Sequence, residues 1–265
     1  MKIAIAGKGG VGKTTISALL ARTYASRGFH VIAVDADPAA CLGSALGLPP
    51  ELRRKLVPIS AMSDLIKERT GAEKGAYGTY FRLNPRVDDI PDLYSVQHQG
   101  IRLLRMGSID EGGSGCICPE SALIKALVTH LMLHHNDLLI MDMDAGLEHL
   151  GRATAHAVDH LLVVVEPGMR SLDTAGQIVK LAHDIGIQRL SMVGNKVRGQ
   201  EDLEFLHRNR GELPLIGALP YVPDAIRADQ EGCSIFDASP VLAQHASQIA
   251  DLLQPVTTEA LHGTP

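Results

Sequence analysis

The stretch GKGGVGKTT, residues 7–15, determines how the rest of this chain can fold. It contains the pattern GxxxxGK[ST], a loop whose backbone amides wrap around phosphate oxygens. The apolar segment KIAIA just before it predicts a short buried strand, and apolar residues at helical spacing over 14–25 predict a helix just after it. A glycine-rich loop that joins a strand to a helix N-terminus favours anions, so the sequence predicts a nucleoside triphosphate as ligand.

The side chains of the loop indicate how that nucleotide is held. Its glycines let the backbone approach phosphate closely, and the ammonium of Lys13 can reach the outer phosphates. The hydroxyl of Thr14 can ligate a Mg²⁺ ion that bridges those phosphates. The loop residues that we expect to contact ATP or ADP are Gly9, Gly10, Val11, Gly12, Lys13, Thr14 and Thr15.

Lys8 is a second lysine in the loop, and one subunit does not need it to hold phosphate. From the loop alone, a solvated cation explains Lys8 as well as a functional residue does. At this spacing the loop resembles that of the deviant Walker A (SIMIBI) ATPases, the MinD/ParA/nitrogenase iron protein class of P-loop proteins. The resemblance implies a homodimer in which Lys8 crosses the interface to the partner's nucleotide and acts in catalysis together with Lys13.

Length and composition set limits on the fold and on the partners. A chain of 265 residues with 45% hydrophobic residues suits one large α/β domain over 1–265. The formal net charge of −5 argues against a nucleic-acid partner. No signal sequence or apolar run of transmembrane length is visible, so we expect a cytoplasmic protein without membrane insertion. Four cysteines are too few for a disulfide scaffold and favour buried thiols or metal ligands.

Acidic residues follow a second predicted strand in HVIAVDADP, residues 30–38. Pro38 indicates that the chain leaves the strand here, which frees Asp37 to face the phosphates. From this segment alone, two acids in a surface turn are the better interpretation. The resemblance implies instead that it is switch I, in which Asp37 positions or activates the attacking water and Asp35 supports Mg²⁺ through its water shell.

A third acidic segment is DLLIMDMDAGLEHLGR, residues 137–152. Its continuous apolar run predicts a buried parallel strand, and Asp142 follows at the carboxyl end, where a Walker B acid would bind Mg²⁺. The family resemblance makes 145–151 switch II. His149 lies within this segment, and a structural histidine is the simpler interpretation than a metal ligand or a switch contact.

The segment GCICP, residues 115–119, places two cysteines just before a strongly helical run that opens at Pro119. The thiolates of Cys116 and Cys118 would fill half of a tetrahedral metal site, so a dimer with its two-fold axis nearby could complete one site from both subunits. Redox-active or incidental thiols are the alternative. Sulfur ligation suits zinc, nickel, copper(I) or an iron-sulfur cluster, and ligand chemistry alone does not choose among them.

Further apolar runs, HLLVVVEPG, RLSMVGNKV and LPLIGALPY, alternate with predicted helices. This alternation predicts an α/β fold of the P-loop type, with a mostly parallel central sheet flanked by helices on both faces. Asn195 and Lys196 resemble the base-recognition position of the class, and Pro220 opens a segment that could complete the base pocket. Residues 71–92 predict a loop-rich insertion, 240–253 a terminal helix, and the end of the chain a short polar tail.

Within this ATPase class, GCICP and DMDAGLEHLGR resemble the CooC-type proteins, which are associated with nickel insertion into carbon monoxide dehydrogenase. The resemblance implies an ATP-dependent metallochaperone whose homodimer closes on ATP, holds Ni²⁺ or Zn²⁺ between Cys116 and Cys118 of both subunits, and opens on hydrolysis. The alternatives are an iron-sulfur carrier or reductase of the nitrogenase iron protein type and, less well supported, a MinD/ParA-type positioning ATPase. Visible absorbance would identify the first alternative, and affinity for DNA or membranes the second.

Overall fold

A computed structural model describes residues 1–75, 80–107, 118–134, 138–144, 147, 150 and 156–253. Its strands are short runs of apolar residues, and β1, β2, β5 and β6 are almost entirely buried, as expected for strands covered on both faces. The strands are β1 (Lys2–Gly7), β2 (Val31–Asp35), β3 (Val96–His98), β4 (Ile101–Arg105), β5 (Leu138–Asp142), β6 (His160–Val165), β7 (Leu190–Val197) and β8 (Leu215–Pro220).

Within the described residues these strands form one eight-stranded sheet in the order β3-β4-β2-β5-β1-β6-β7-β8. Every neighbouring pair is parallel except β3 and β4, which are antiparallel. The prediction of a mostly parallel α/β sheet is therefore confirmed. Because β1 lies between β5 and β6, the loops that follow these three strands lie together at the carboxyl ends of the strands. We call this side the carboxyl edge of the sheet, and it is where parallel sheets bind ligands.

The helices of the described residues begin and end at recognisable signals. Pro119 occupies the first position of α6, and glycines in the left-handed conformation, Gly186 and Gly232, end α7 and α9. The helices are α1 (Lys13–Ser26), α2 (Leu42–Ala45), α3 (Pro50–Lys55), α4 (Ser63–Thr70), α5 (Ile90–Tyr94), α6 (Pro119–His134), α7 (Met169–Ile185), α8 (Gln200–Asn209), α9 (Pro223–Glu231), α10 (Ile235–Ala238) and α11 (Pro240–Leu253), with a 3₁₀ turn at Ile59–Ala61.

Two apolar cores lie on opposite faces of the sheet. Alternate residues of β1 point into the two cores: Ala4 and Ala6 pack in one, and Ile3 and Ile5 pack in the other. The first core packs α4, α6 and α7, and the second packs α1, α10 and α11. Helices therefore cover the sheet from both sides, as the sequence predicted. None of the helices in the described ranges is long and apolar enough to span a membrane.

Three features differ from the sequence predictions. The short edge strand β3 was not predicted, and α5 begins inside the region 71–92, whose other described residues contain no helix or strand. Cys41 is exposed and immediately precedes α2, although the sequence favoured buried thiols or metal ligands for the four cysteines. The reason is that α2 buries Leu42 and Gly43 instead, which leaves Cys41 on the connecting loop.

Candidate functional site

The loop between β1 and α1 has the backbone conformation that its glycines allow. Gly10 and Gly12 adopt left-handed φ angles of 81° and 96°, which other residues rarely tolerate. A side chain at Gly12 would also collide with the amide of Asn195. The amide of Val11 donates to the carbonyl of Lys8 at 3.3 Å and closes the turn. The loop thus has the strand–loop–helix geometry of a phosphate-binding loop.

The carboxyl end of β7 braces this loop from the side. Nδ2 of Asn195, a buried residue, donates to the carbonyl of Val11 at 2.8 Å. Nζ of Lys196 donates to the carbonyl of Gly10 at 2.6 Å and pairs with Glu166 at 3.3 Å. Their nitrogen donors thus hold the phosphate loop in this structure, and their predicted part in reading the base stays a prediction.

A cavity of about 540 Å³ opens beside the loop. Most of the predicted nucleotide-binding residues line it together: Gly10, Gly12, Lys13, Thr14, Thr15, Asp37, Asn195, Lys196 and Pro220. Its apolar wall comes from Tyr221, Val222, Ala225 and Ile226, which lie in the segment after Pro220 that the sequence suggested for the base pocket. A cavity with cations at one end and apolar side chains elsewhere suits a nucleotide, whose phosphates and base need these two environments.

Asp142 ends β5 and is fully buried. Its Oδ1 accepts a hydrogen bond from the Ser17 hydroxyl at 2.9 Å, and its Oδ2 is buried without a hydrogen-bond partner. Burial raises the pKa of Asp142 to about 6, while the hydroxyls of Thr14 and Ser17 and the ammonium of Lys13 act in the opposite direction. A buried carboxylate oxygen without a partner, close to a threonine hydroxyl, fits a Mg²⁺ ligand set.

Ser17 is a site residue that the sequence analysis missed. It lies on α1, one helical turn after Lys13, and its side chain reaches across to β5. A hydroxyl in the sequence K-x-x-x-S, on the helix face that packs against the sheet, is the signal that could have identified it.

Asp35 is fully buried at the end of β2, and both of its oxygens accept backbone hydrogen bonds. Oδ1 accepts from the amide of Asp37 at 3.3 Å, and Oδ2 accepts from the amide of Leu42 at 3.0 Å. Burial, followed by the nearby charge of Asp142, raises the pKa of Asp35 to about 7. Asp35 therefore shapes the turn that presents Asp37, and its predicted part in supporting Mg²⁺ stays a prediction.

Asp37 and Lys8 lie at the exposed side of the site. Asp37 is half-buried and lines the cavity, with Oδ1 accepting from the amide of Ala39 at 2.8 Å. Lys8 is also half-buried but is not among the residues that line the cavity. No hydrogen bond or ion pair to its ammonium is found within the described part of the chain. Lys8 is therefore available to a ligand or to another molecule.

The thiol of Cys118 lies at the start of α6, on the carboxyl edge of the sheet. The backbone carbonyl of Cys118 accepts a hydrogen bond from the amide of Ala122 at 3.1 Å. The thiol of Cys118 is half-buried and donates to the hydroxyl of Ser121 at 3.0 Å. Cys116 and His149 lie outside the described residues, as does switch II apart from Leu147 and Leu150. Among the described histidines, cysteines and carboxylates, no group of three could hold a metal within this chain alone.

Comparison with known proteins agrees with the fold and the loop. Residues 2–235 match the family model of the CobQ/CobB/MinD/ParA nucleotide binding domain. The septum site-determining protein MinD of Pyrococcus horikoshii, solved in complex with Mg-ADP, superposes with a TM-score of 0.66 over 97% of this chain and 96% of that chain. Its sequence identity is only 17%, so this likeness concerns the fold.

Two relatives are more similar in sequence. The carbon monoxide dehydrogenase accessory protein CooC of Rhodospirillum rubrum is 47% identical over 257 residues, which cover 97% of each chain. An uncharacterized ATP-binding protein of Methanocaldococcus jannaschii is 46% identical and covers 86% of this chain and 88% of its own. The chain therefore belongs to the CobQ/CobB/MinD/ParA family of nucleotide-binding proteins, and within that family it groups with the CooC-type accessory proteins.

Proposed function

We propose that this protein is an ATPase that loads nickel into a carbon monoxide dehydrogenase. The observation that carries the proposal is the meeting of two kinds of site at one sheet edge. The P-loop cavity with Lys13 and the unpartnered oxygen of Asp142 suits Mg-ATP, and the thiol of Cys118 lies at the start of α6 on the same edge. Similarity to CooC connects these features to carbon monoxide dehydrogenase.

In the proposed hydrolysis, each residue has a limited task. Lys13 and the loop amides bind the phosphates, and Thr14 and Asp142 would hold Mg²⁺, which neutralises charge on the phosphate oxygens. Asp37 orients the attacking water from its position on the cavity wall. Asp35 fixes the turn before Asp37 through its two accepted amide hydrogen bonds.

The cargo ion would be bound between two copies of the chain. Cys116 and Cys118 of each subunit supply two thiolates, so a pair of subunits supplies the four that a tetrahedral ion requires. Nickel is the proposed cargo and zinc the competing ion, because both accept thiolate ligands.

ATP would control this site through the dimer. When ATP is bound, Lys8 of one subunit contacts the phosphates of the other, which favours a closed dimer and brings the cysteine pairs together. Loss of the terminal phosphate removes that contact, so the closed state loses its advantage. The cysteine pairs then separate and the ion passes to the client enzyme.

Metal content and oligomeric mass, measured together, test the proposal. With Ni²⁺ and a nonhydrolysable ATP analogue, we expect a dimer that contains one nickel ion, whereas the Cys116→Ala/Cys118→Ala variant should dimerise without nickel. Cys41→Ala removes an exposed thiol outside the Cys-x-Cys motif. Because Cys41 lines the nucleotide cavity, binding of the ATP analogue is measured first, and this control should then retain the metal. Nickel retained by the double variant at one ion per dimer would refute the site, and visible absorbance after anaerobic purification would favour an iron-sulfur carrier.

A further inference from the structure

A second, smaller cavity lies at the carboxyl edge of the sheet and shares no lining residue with the nucleotide cavity. Its volume is about 170 Å³, and Arg105, Lys74, Ser60 and Gly107 are among its lining residues. This volume suits a small ion or a single side chain and is too small for a nucleotide, which needs a pocket of at least ~300 Å³. Nothing in the proposed ATPase cycle uses this cavity.

Arg105 is the residue that makes the cavity unusual. Its Nε is buried without a hydrogen-bond partner, and no other hydrogen bond or ion pair of its guanidinium is found in the described regions. Arg22 and Arg69 also have an Nε buried without a hydrogen bond, but their terminal nitrogens bond to Asp237 and Asp89. A half-buried guanidinium without a partner is costly, so an anion from outside the described residues would stabilise Arg105.

The walls around Arg105 are fixed by backbone hydrogen bonds. The amide of Met106 donates to the carbonyl of Asp35 at 2.9 Å, and the amide of Ser60 donates to the carbonyl of Met106 at 3.0 Å. Gly107 has a left-handed φ of 80°, and a side chain there would collide with Ser60. The cavity is therefore built by the sheet and its neighbours rather than by a passing surface loop.

The charge at the cavity is also positive. Lys74 and Arg105 contribute two cations, and Glu120 contributes one carboxylate whose Oε2 already accepts from the amide of Gly75 at 3.3 Å. The cavity also adjoins the N-terminal turn of α6, whose amides favour negative charge. We propose that this cavity binds a small oxyanion, either a carboxylate or a tetrahedral inorganic anion, through the guanidinium of Arg105.

The cavity lies between the segment that carries Asp37 and the start of α6, so a bound anion would contact both. Pro38, which follows Asp37, forms one wall, and Glu120, two residues after Cys118, forms another. An anion held here contacts the segments that carry the water-positioning acid and the thiol. The inference itself requires neither hydrolysis nor nickel, so it can fail or hold independently of the proposed function.

Calorimetric titration with sodium sulfate tests the site. The P-loop is first saturated with Mg-ADP, and ionic strength is kept constant with NaCl because salt screens such contacts. We expect one saturable sulfate site per chain and a loss of affinity of about tenfold or more in Arg105→Gln, as for a charge-assisted hydrogen bond. Arg102→Gln is the matched control on the same strand, since Arg102 pairs with Asp92 instead, and it should bind like wild type.

Other outcomes decide the proposal as well. Lys74→Gln, in an exposed segment where folding is not at risk, should weaken sulfate about threefold, and ADP affinity should be unchanged in every variant. Competition by acetate would assign the cavity to carboxylates, and its failure would assign it to tetrahedral anions; both results support an oxyanion site. Unchanged sulfate affinity in both Arg105→Gln and Lys74→Gln, or loss of sulfate binding once ADP fills the P-loop, would overturn it.

Discussion

Ser17 determines which oxygen of Asp142 is left for a ligand. Its hydroxyl holds Oδ1 at 2.9 Å, so the carboxylate is fixed with Oδ2 unpartnered in a buried position. Both groups are fully buried, where a hydrogen bond constrains a side chain more strongly than it does at the surface. The orientation of the proposed Mg²⁺ ligand thus depends on a residue that need not touch the ion.

The substitution Ser17→Ala should weaken the coupling between Mg²⁺ and nucleotide. Asp142 then loses the hydrogen bond from Ser17, which costs about 1–3 kcal/mol of folding stability and loosens the orientation of the carboxylate. We expect ADP affinity to fall in Mg²⁺ but to change little in EDTA, as measured by calorimetry. Ser26→Ala on the same helix is the control, since Ser26 bonds only to the carbonyl of Thr23. Equal losses with and without Mg²⁺ would mean that Ser17 is merely structural.

Burial of Asp35 and Asp142 should make the nucleotide-free protein less stable as pH rises. Their pKa values are about 7 and about 6, compared with an ordinary value of 3.8. A carboxyl whose pKa is higher when folded favours folding while it is protonated, so its contribution falls from about pH 4 up to the folded pKa and stays low above it.

Urea denaturation in EDTA checks this dependence. Between about pH 5 and pH 7.5, the free energy of unfolding should fall more steeply in wild type than in Asp142→Asn, because the amide does not titrate. Asp64→Asn, which changes an exposed carboxylate, should leave the slope unchanged. Parallel curves for wild type and Asp142→Asn would contradict the raised pKa.

At the scale of elements, the end of β7 supports the phosphate loop. The side chains of Asn195 and Lys196 bond to two successive loop carbonyls, at Val11 and Gly10. Lys196 adopts a left-handed φ of 57°, which is uncommon for a residue with a side chain. A strand far later in the chain, the sixth after β1, therefore holds the loop in the shape that receives phosphate.

The substitution Asn195→Ala distinguishes support of the loop from reading of the base. If Asn195 braces the loop, affinities for ATP, GTP and inorganic triphosphate should all fall by a similar factor of about five to ten, the value of one buried hydrogen bond. If it reads adenine, only ATP should weaken and triphosphate should not change. Asn209→Ala, on α8, removes an exposed asparagine bonded within its own helix and serves as control.

The sequence predicted elements well where the signal is local. The helix at Pro240–Leu253 agrees with its predicted limits because Pro240 begins it, and the apolar runs of the parallel strands are covered on both faces. The strand β3 was not predicted, because a three-residue edge strand depends on its partner β4. Ser17 was missed for a related reason: its hydrogen bond to Asp142 joins residues 125 positions apart, which no local pattern contains.

At the scale of the whole molecule, Lys8 is a residue of the phosphate loop that makes no side-chain hydrogen bond or ion pair within the described part of its own subunit. It stands at the P-loop yet does not line the nucleotide cavity, and the described chain offers its ammonium no hydrogen bond or ion pair. Lys13, five residues on, is buried within the same cavity. The two lysines of the loop therefore face different surroundings, which suits one nucleotide contact within the subunit and one between subunits.

The substitution Lys8→Ala should separate nucleotide binding from assembly. ADP affinity should stay within about twofold of wild type, whereas the dimer induced by a nonhydrolysable ATP analogue should be lost, as measured by sedimentation velocity. Lys55→Ala removes an exposed lysine of α3 and should dimerise normally. An ATP-induced dimer that persists in Lys8→Ala would show that Lys8 is a solvated cation.

The two apolar cores pack different helices on the two sides of the sheet. One core packs α1, α10 and α11, close to the nucleotide cavity, and the other packs α6, which begins beside Cys118. Both cores also contain residues of β1, the strand that leads into the phosphate loop. This chain and a septum site-determining protein share the fold at 17% sequence identity, so both cores tolerate wide exchange of their residues.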